Sequence, residues 1–186
     1  MEEIINKSKE LFLKNISDFD SDPFNLKSHI IELEKWALYM HKKYPDFDLE
    51  IVRLGIYLHD IGHYPLQDED HAVISEKKAR IFLEDEKYPK LDEVLHCVRS
   101  HRCKDVMPDS YEAKVLAFID SASHMTDSMY LDIAKKQKEV EGYYDVFGKI
   151  DRDFRDLAHF PEVKEELKEL HDAWKILLKA YNKIDI

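Results

Sequence analysis

Apolar residues recur every three or four positions along most of the chain, which is the spacing of an amphipathic helix. In LKSHIIELEKWALYMHKKY, residues 26–44, one helical face carries Leu26, Ile30, Leu33, Ala37 and Met40. No segment alternates between apolar and polar residues in the way a half-buried strand does. The pattern therefore predicts an all-α protein, a bundle of seven to nine helices.

Three local signals refine this prediction. Asp46 or Asp48 is expected to cap a helix in DLEIVRLGIYLHDIG, residues 48–62, and Gly62 to end it in a left-handed conformation. GYYDVFGKIDRDF, residues 142–154, is expected to be a loop before the C-terminal helices. The chain has four glycines where an average composition gives about thirteen. Strands joined by tight turns favour glycine, so its scarcity also supports helices.

Composition narrows the class of protein. A chain of 186 residues is expected to form a single domain, 1–186. The net charge of −11 argues against a surface for long nucleic acid, but a metal ion could still hold a small anionic substrate. With two cysteines and no apolar run of signal-peptide or membrane-spanning length, we expect a reduced, cytoplasmic protein without a membrane segment.

Histidine is concentrated in one part of the chain. Six of the ten histidines lie between positions 59 and 124, and His59 is followed directly by Asp60. Imidazole and carboxylate together suit a divalent transition metal. A helix ending at Gly62 would leave both side chains on its last turn, where the helix dipole favours a cation. A second His-Asp pair, at 171–172, lies in a highly charged helix without such neighbours and is interpreted as surface.

The order of His29, then His59–Asp60, then Asp120 resembles the HD-domain superfamily of metal-dependent phosphohydrolases. The motifs that carry the resemblance are YLHDIGH after an apolar helix and EAKVLAFIDSAS, which contains the last aspartate. The resemblance covers about residues 25–130. It implies an HD-type helical bundle, with helices of residues 150–186 packed on that core.

The resemblance also implies a ligand set. His29, His59, Asp60 and Asp120 would bind one divalent ion, and members with two ions add residues at the positions of His71 and His101, with Asp60 bridging both. His96 competes with His101, because five residues separate them by roughly 140° around a helix, and His101 at the helix end is preferred. The metal stays open among Mn, Fe, Co, Ni, Zn and Mg, and so does the choice between one ion and two.

Substrate contacts are implied less specifically. HDIGH is similar to the branch that hydrolyses deoxynucleoside triphosphates, in which a histidine at the position of His63 lies beside the phosphates. The chain departs from that branch after HDIGHYP and is far shorter, so the resemblance implies phosphate chemistry rather than that substrate. Arg102 and Lys104 could bind a phosphate or lie in a solvated loop, and His124 could adjoin the ligands or be surface.

These observations lead to one expected function and two alternatives. We expect a hydrolase of a small phosphate ester, with a nucleotide as the first expectation, in which a metal-bound hydroxide attacks phosphorus. Asp60 and His63 are the predicted catalytic residues; a protonated His63 would contact the phosphate or protonate the leaving oxygen. The first alternative is a di-iron HD-type oxygenase, because the six-residue ligand set also occurs in those enzymes. The second alternative is a metal-stabilised sensing domain without enzymatic activity. Exposed aromatics are compatible with a homodimer.

Overall fold

The computed structural model describes residues 2–17, 22, 24–65 and 68–184, and helices account for most of them. The α-helices are α1 Glu2–Ser17, α2 Leu26–Lys43, α3 Leu49–Leu58, α4 His71–Asp85, α5 Leu91–Ser100, α6 Tyr111–Thr126, α7 Met129–Glu139, α8 Val146–Asp156, α9 Pro161–Glu166 and α10 Lys168–Asn182. Short 3-10 helices follow α3 at Ile61–His63 and α8 at Leu157–His159. The described residues contain no strand, so the predicted all-α class is confirmed.

Two helices form the centre of the core. In α3 every residue from Leu54 to Leu58 is buried, and α6 is buried on nearly all sides. The first packs against α1, α2, α5 and α6, and the second packs against α2, α3, α5 and α8. Because both are enclosed by other helices, a polar side chain on either of them must find its partners inside the protein.

Side-chain caps fix where several helices begin. Of the two caps expected for α3, Asp48 is the one observed, accepting a bond from Glu50 N at 2.9 Å. Asp70 caps α4 and Ser110 caps α6, each through a bond of 3.0–3.1 Å to a backbone N–H. Each cap satisfies an amide that the first helical turn leaves without a partner. The caps thereby set the register of the helices that carry the site residues.

Gly62 serves a purpose other than the one predicted. Its backbone is not left-handed, and among the described glycines only Gly142 has a positive φ. A Cβ atom on Gly62 would lie 2.3 Å from His71 O and 2.6 Å from Ser75 N. Its own N–H donates to Ser75 Oγ at 2.8 Å. Glycine is required here because the turn after α3 packs directly on the first turns of α4.

The prediction of a loop for residues 142–154 is wrong from Val146 onward, because α8 begins there. Asp145 caps this helix, and its buried residues are Val146, Ile150 and Asp153. The C-terminal helices α9 and α10 are separated at Leu167, and the described residues contain ten α-helices where seven to nine were predicted. None of the described helices is long and apolar enough to cross a membrane.

Candidate metal centre

Four of the predicted ligands meet where α2, α6 and the end of α3 come together. His29 lies on α2, Asp120 on α6, and His59 and Asp60 follow directly after α3. His29 Nε2 lies 3.1 Å from Asp120 Oδ1. His59 Nε2 lies 3.3 Å from Asp60 Oδ2 and 3.7 Å from Asp120 Oδ1. The fold thus brings together side chains from three separate parts of the chain.

Three further histidines approach the other oxygen of Asp60. His71 Nε2 lies 3.3 Å from Asp60 Oδ1, while His63 Nε2 and His101 Nε2 each lie 3.6 Å from it. His71 is the first residue of α4 and His101 follows the last residue of α5. The Asp60 carboxylate therefore lies between His59, which faces Oδ2, and the three histidines that face Oδ1.

Backbone carbonyls orient two of the histidine rings. His59 Nδ1 lies 2.9 Å from Ile56 O, and His101 Nδ1 lies 2.7 Å from Val98 O. A carbonyl oxygen can only accept, so each Nδ1 carries the hydrogen of the neutral ring. The lone pair of each ring is then on Nε2, the nitrogen that faces the carboxylates. A hydrogen bond to the remote nitrogen is the usual means by which proteins orient a metal-binding histidine.

Ser123 orients His29 in the same way. The Ser123 hydroxyl donates to Asp120 O at 2.8 Å, and its oxygen lies 3.2 Å from His29 Nδ1. In the tautomer that would bind an ion, His29 Nδ1–H donates to the Ser123 oxygen. The lone pair on His29 Nε2 consequently points towards Asp120 Oδ1.

The residues present fit a divalent metal ion. Their lone pairs face one another, and His59 Nε2 and Asp60 Oδ1 are buried without a hydrogen-bond partner among the described residues. Two groups of three residues each have their ligand atoms within 4.8 Å of one another. The first group is His29, His59 and Asp120, and the second is Asp60, His63 and His71. A cation shared between these atoms would satisfy them inside the fold. Mixed nitrogen and oxygen donors suit a transition metal.

The ionisation of the site also favours a bound cation. Burial raises the pKa of a carboxyl group, but the adjacent histidines outweigh burial and hold the pKa values of Asp60 and Asp120 well below their usual range. Burial disfavours the charged His59 imidazole, yet the Asp60 and Asp120 carboxylates hold its pKa well above the ordinary value, so without an ion His59 Nε2 holds a proton that a bound cation would displace. Both carboxylates therefore stay ionised and draw positive charge into the space between them.

The protonated His63 expected from the sequence is not the favoured form. Burial lowers the pKa of its imidazole to about 4, and the positive charges of His71, His59 and Arg102 act in the same direction, against the effect of Asp60. The ring stacks on His71, with centroids 3.9 Å apart, and lies beside the Phe24 ring. His63 is accordingly neutral near pH 7, close enough to Asp60 either to ligate an ion or to contact a bound substrate.

The structure also separates the candidates that the sequence left open. His101 faces the site, whereas His96 pairs with Asp109 at 2.6 Å. Arg102 lines the cavity beside the site and pairs with Asp70, the cap of α4. Lys104 has a 64% exposed side chain that approaches Asp70 only to 3.6 Å, and it is not among the described residues that line the cavity.

A cavity of about 560 Å³ opens beside these residues, a volume typical of sites for small molecules. Its walls include Asp60, His63, His71, His101, Arg102 and Asp120. The rest of the lining comes largely from α7 and from the chain around the start of α8, including Met129, Ile133, Tyr143, Tyr144 and Lys149. Carboxylates, imidazoles and cations thus border a partly apolar space large enough for a small substrate.

The sequence left the position of His124 open, and sequence reasoning missed Lys149 of the lining and its partner Asp153. His124 is buried, its ring stacks on His29 with centroids 4.9 Å apart, and it also lines the cavity. Lys149 and Asp153 fell within the segment predicted as a loop. The spacing of four residues from Asp120 to His124, and from Lys149 to Asp153, was the available signal, because it places both members of a pair on one helical face.

Fold and site together define an all-helical protein with a candidate metal centre of histidines and aspartates. A family model described as HD domain matches residues 26–125, which is more than half of the chain. The chain therefore belongs to the HD domain family, whose members are mostly metal-dependent hydrolases. No curated protein and no solved structure matches the chain significantly.

Proposed function

We propose that the protein is a metal-dependent phosphohydrolase that cleaves a small phosphate ester, with nucleotides as the first candidates. One observation carries this proposal: His29 Nε2, His59 Nε2 and the carboxylates of Asp60 and Asp120 converge beside a cavity of about 560 Å³, and His59 Nε2 and Asp60 Oδ1 are buried there without a hydrogen-bond partner among the described residues. Hydrolysis joins the oxygen of one water to phosphorus, breaks the ester P–O bond and leaves a proton on the departing oxygen.

His29, His59, Asp60 and Asp120 would hold one divalent ion, and Asp60, His71 and His101 a second. Such an ion, when bound, lowers the pKa of a water ligand and stabilises negative charge on a phosphoryl oxygen. Asp60 is suited to the ligand sets of both ions because its two oxygens face different histidines.

Two residues outside that set would orient the substrate. The Arg102 guanidinium lines the cavity and is positioned by Asp70, so it can attract and orient an anionic phosphate. Neutral His63, held between Phe24 and His71, would donate one N–H to a phosphate oxygen. Lys104 has no role in this proposal.

The test is a panel of nucleotides, sugar phosphates and an aryl phosphate, assayed for phosphate release with Mn²⁺, Co²⁺, Ni²⁺ or Mg²⁺. We expect turnover of at least one ester, and we expect Asp60→Asn to lose metal and turnover together. The matched control is Asp172→Asn, which alters the exposed aspartate of the other His-Asp pair and should change neither. The surface position predicted for this pair is confirmed for Asp172 and wrong for His171, which is buried against Phe154. A folded, metal-loaded protein that releases no phosphate from any ester would contradict the proposal.

A di-iron oxygenase is the second candidate, favoured by the closeness of His71 and His101 to Asp60, which completes a six-residue set. It predicts that the purified protein contains iron and forms an oxygen-dependent product. Retention of metal without either activity would instead indicate a sensing or binding domain.

A further inference from the structure

A buried polar cluster adjoins the candidate metal centre and extends beyond the segment that matches the HD domain. Asp153 of α8 is 3% exposed. It accepts from Lys149 Nζ at 2.6 Å and from the Tyr130 hydroxyl at 2.9 Å. Its Oδ2 also lies 3.2 Å from His124 Nδ1. One carboxylate therefore holds a lysine and a histidine that both line the cavity.

Stability alone does not account for this cluster. Withdrawing an ammonium and a carboxylate from water carries a desolvation cost that their attraction barely offsets, and apolar residues of similar size often serve a core equally well. The Lys149–Asp153 pair is nevertheless placed within one helix, with the lysine at the cavity wall. At this position Lys149 can contact a molecule that is bound in the cavity.

A count of hydrogen-bond donors shows that Lys149 has capacity to spare. An ammonium group has three N–H donors, and among the described residues Lys149 Nζ approaches Asp153 Oδ1 at 2.6 Å and His124 Nδ1 at 3.0 Å. His124 Nδ1 cannot donate to Asp153 and accept from Lys149 at the same time. At least one N–H of Lys149 is therefore available in either tautomer, on a side chain that borders the cavity.

We propose that Lys149 binds a phosphate oxygen of the substrate, and that Asp153 is a positioning residue that fixes the ammonium group. The proposal rests on the proposed function for the chemistry of the substrate. Lysine binds phosphate as a compact positive charge. Arg102 reaches the cavity from the end of α5 and Lys149 from α8, so two separate elements would supply cations to one anion.

The test measures the affinity of the full-length, metal-loaded protein for inorganic phosphate by calorimetry. The variant Lys149→Met/Asp153→Asn removes the cation together with its counter-ion, so that no unpaired charge is left buried. The matched control is Lys175→Met, because Lys175 of α10 pairs at 2.6 Å with Asp151 of α8 but lies outside the described cavity lining. Thermal unfolding and metal analysis accompany each variant.

We expect the double variant to bind phosphate about tenfold or more weakly, with its metal content unchanged, and the control to bind like the wild type. In case the double variant does not fold, the wild-type protein labelled at lysine Cε provides the second measurement. Phosphate should shift the NMR signal of Lys149 and leave that of Lys175 in place.

Equal phosphate affinity in a folded double variant, an unmoved Lys149 signal, or no phosphate binding by the wild type would each overturn the proposal. These outcomes are separate from the fate of the proposed function, which is decided by turnover. Phosphate affinity that depends on Lys149, in a protein that hydrolyses no ester, would support the anion site while contradicting the hydrolase.

Discussion

At the scale of single residues, the site is set by which nitrogen of each ring carries the hydrogen. Ile56 O, Val98 O and the Ser123 hydroxyl each accept from an Nδ1–H, so that three Nε2 lone pairs face the carboxylates. The rings are thus oriented before an ion arrives, and less conformational freedom is lost when one binds. Removing an orienting group should therefore weaken metal binding even though no ligand is lost.

Ser123→Ala tests this directly. We expect the affinity for the divalent metal to fall about 10- to 100-fold, as is typical when the partner of a metal-binding histidine is removed. A competition titration with a chromophoric chelator measures the change. The control is Ser8→Ala, since Ser8 is also buried and also donates to a carbonyl three residues earlier, but in α1. Equal affinities for the two variants would mean that Ser123 does not orient His29.

His63→Gln separates the two roles open to that histidine. As a donor to the substrate phosphate, its loss should cut turnover about 10- to 100-fold while metal content stays the same, because a hydrogen bond to a charged group is lost. His96→Gln is the control, as His96 pairs with Asp109 away from the site. If one equivalent of metal disappears in His63→Gln, the residue is a ligand instead.

The sequence was sufficient to find the residues of short motifs and insufficient to find those that depend on packing. His59–Asp60 and Asp120 stand in recognisable local patterns. The role of Gly62 depends on Ser75, which no local pattern links to it. Lys149 and Asp153 were missed because Gly142 and Gly148 favoured a loop, although Val146, Ile150 and Phe154 recur at the four-residue spacing of a helix.

At the scale of elements, the junction between the end of α3 and the start of α4 is the tightest part of the site. The 3-10 helix Ile61–His63 packs against α4 through Gly62, and this contact sets the distance between Asp60 and His71. Any side chain at Gly62 meets backbone atoms of α4, so the two elements would have to separate.

Gly62→Ala should lower the free energy of unfolding by about 1–3 kcal/mol, the usual cost of overpacking, and should also weaken metal binding. The comparison is Gly55→Ala in α3, where the added Cβ meets mainly the flexible end of Leu116 at 2.9 Å and alanine is the better helix former. Urea unfolding of both variants measures the difference. A Gly62→Ala protein as stable as Gly55→Ala would contradict the packing argument.

At the scale of the whole molecule, the candidate centre joins helices that are distant in sequence. Ligand candidates come from α2, α4 and α6 and from the ends of α3 and α5, so one ion would link three of the ten described helices and two ions would link five. In a protein with a net charge of −11, it would also offset negative charge inside the fold. Metal binding should therefore be visible in global stability.

Removal of metal with a chelator should lower the melting temperature. An ion present at about 100 times its dissociation constant stabilises the native state by about 2.7 kcal/mol, provided that it binds the native state alone. Differential scanning calorimetry with and without metal measures this shift. Asp172→Asn should keep the shift and Asp60→Asn should lose it. A wild-type protein that melts identically in both conditions would contradict the metal centre.

The family match ends at residue 125, before α7 and α8 complete the wall of the cavity. The family match over residues 26–125 therefore indicates a class of chemistry, that of metal-dependent hydrolases. The latter part supplies Met129, Ile133, Tyr143 and Lys149 to the described cavity wall, and we expect these residues to influence which substrate is bound. Replacing those two helices by others would be expected to redirect the protein to a new substrate while its ion-holding residues stay as they are.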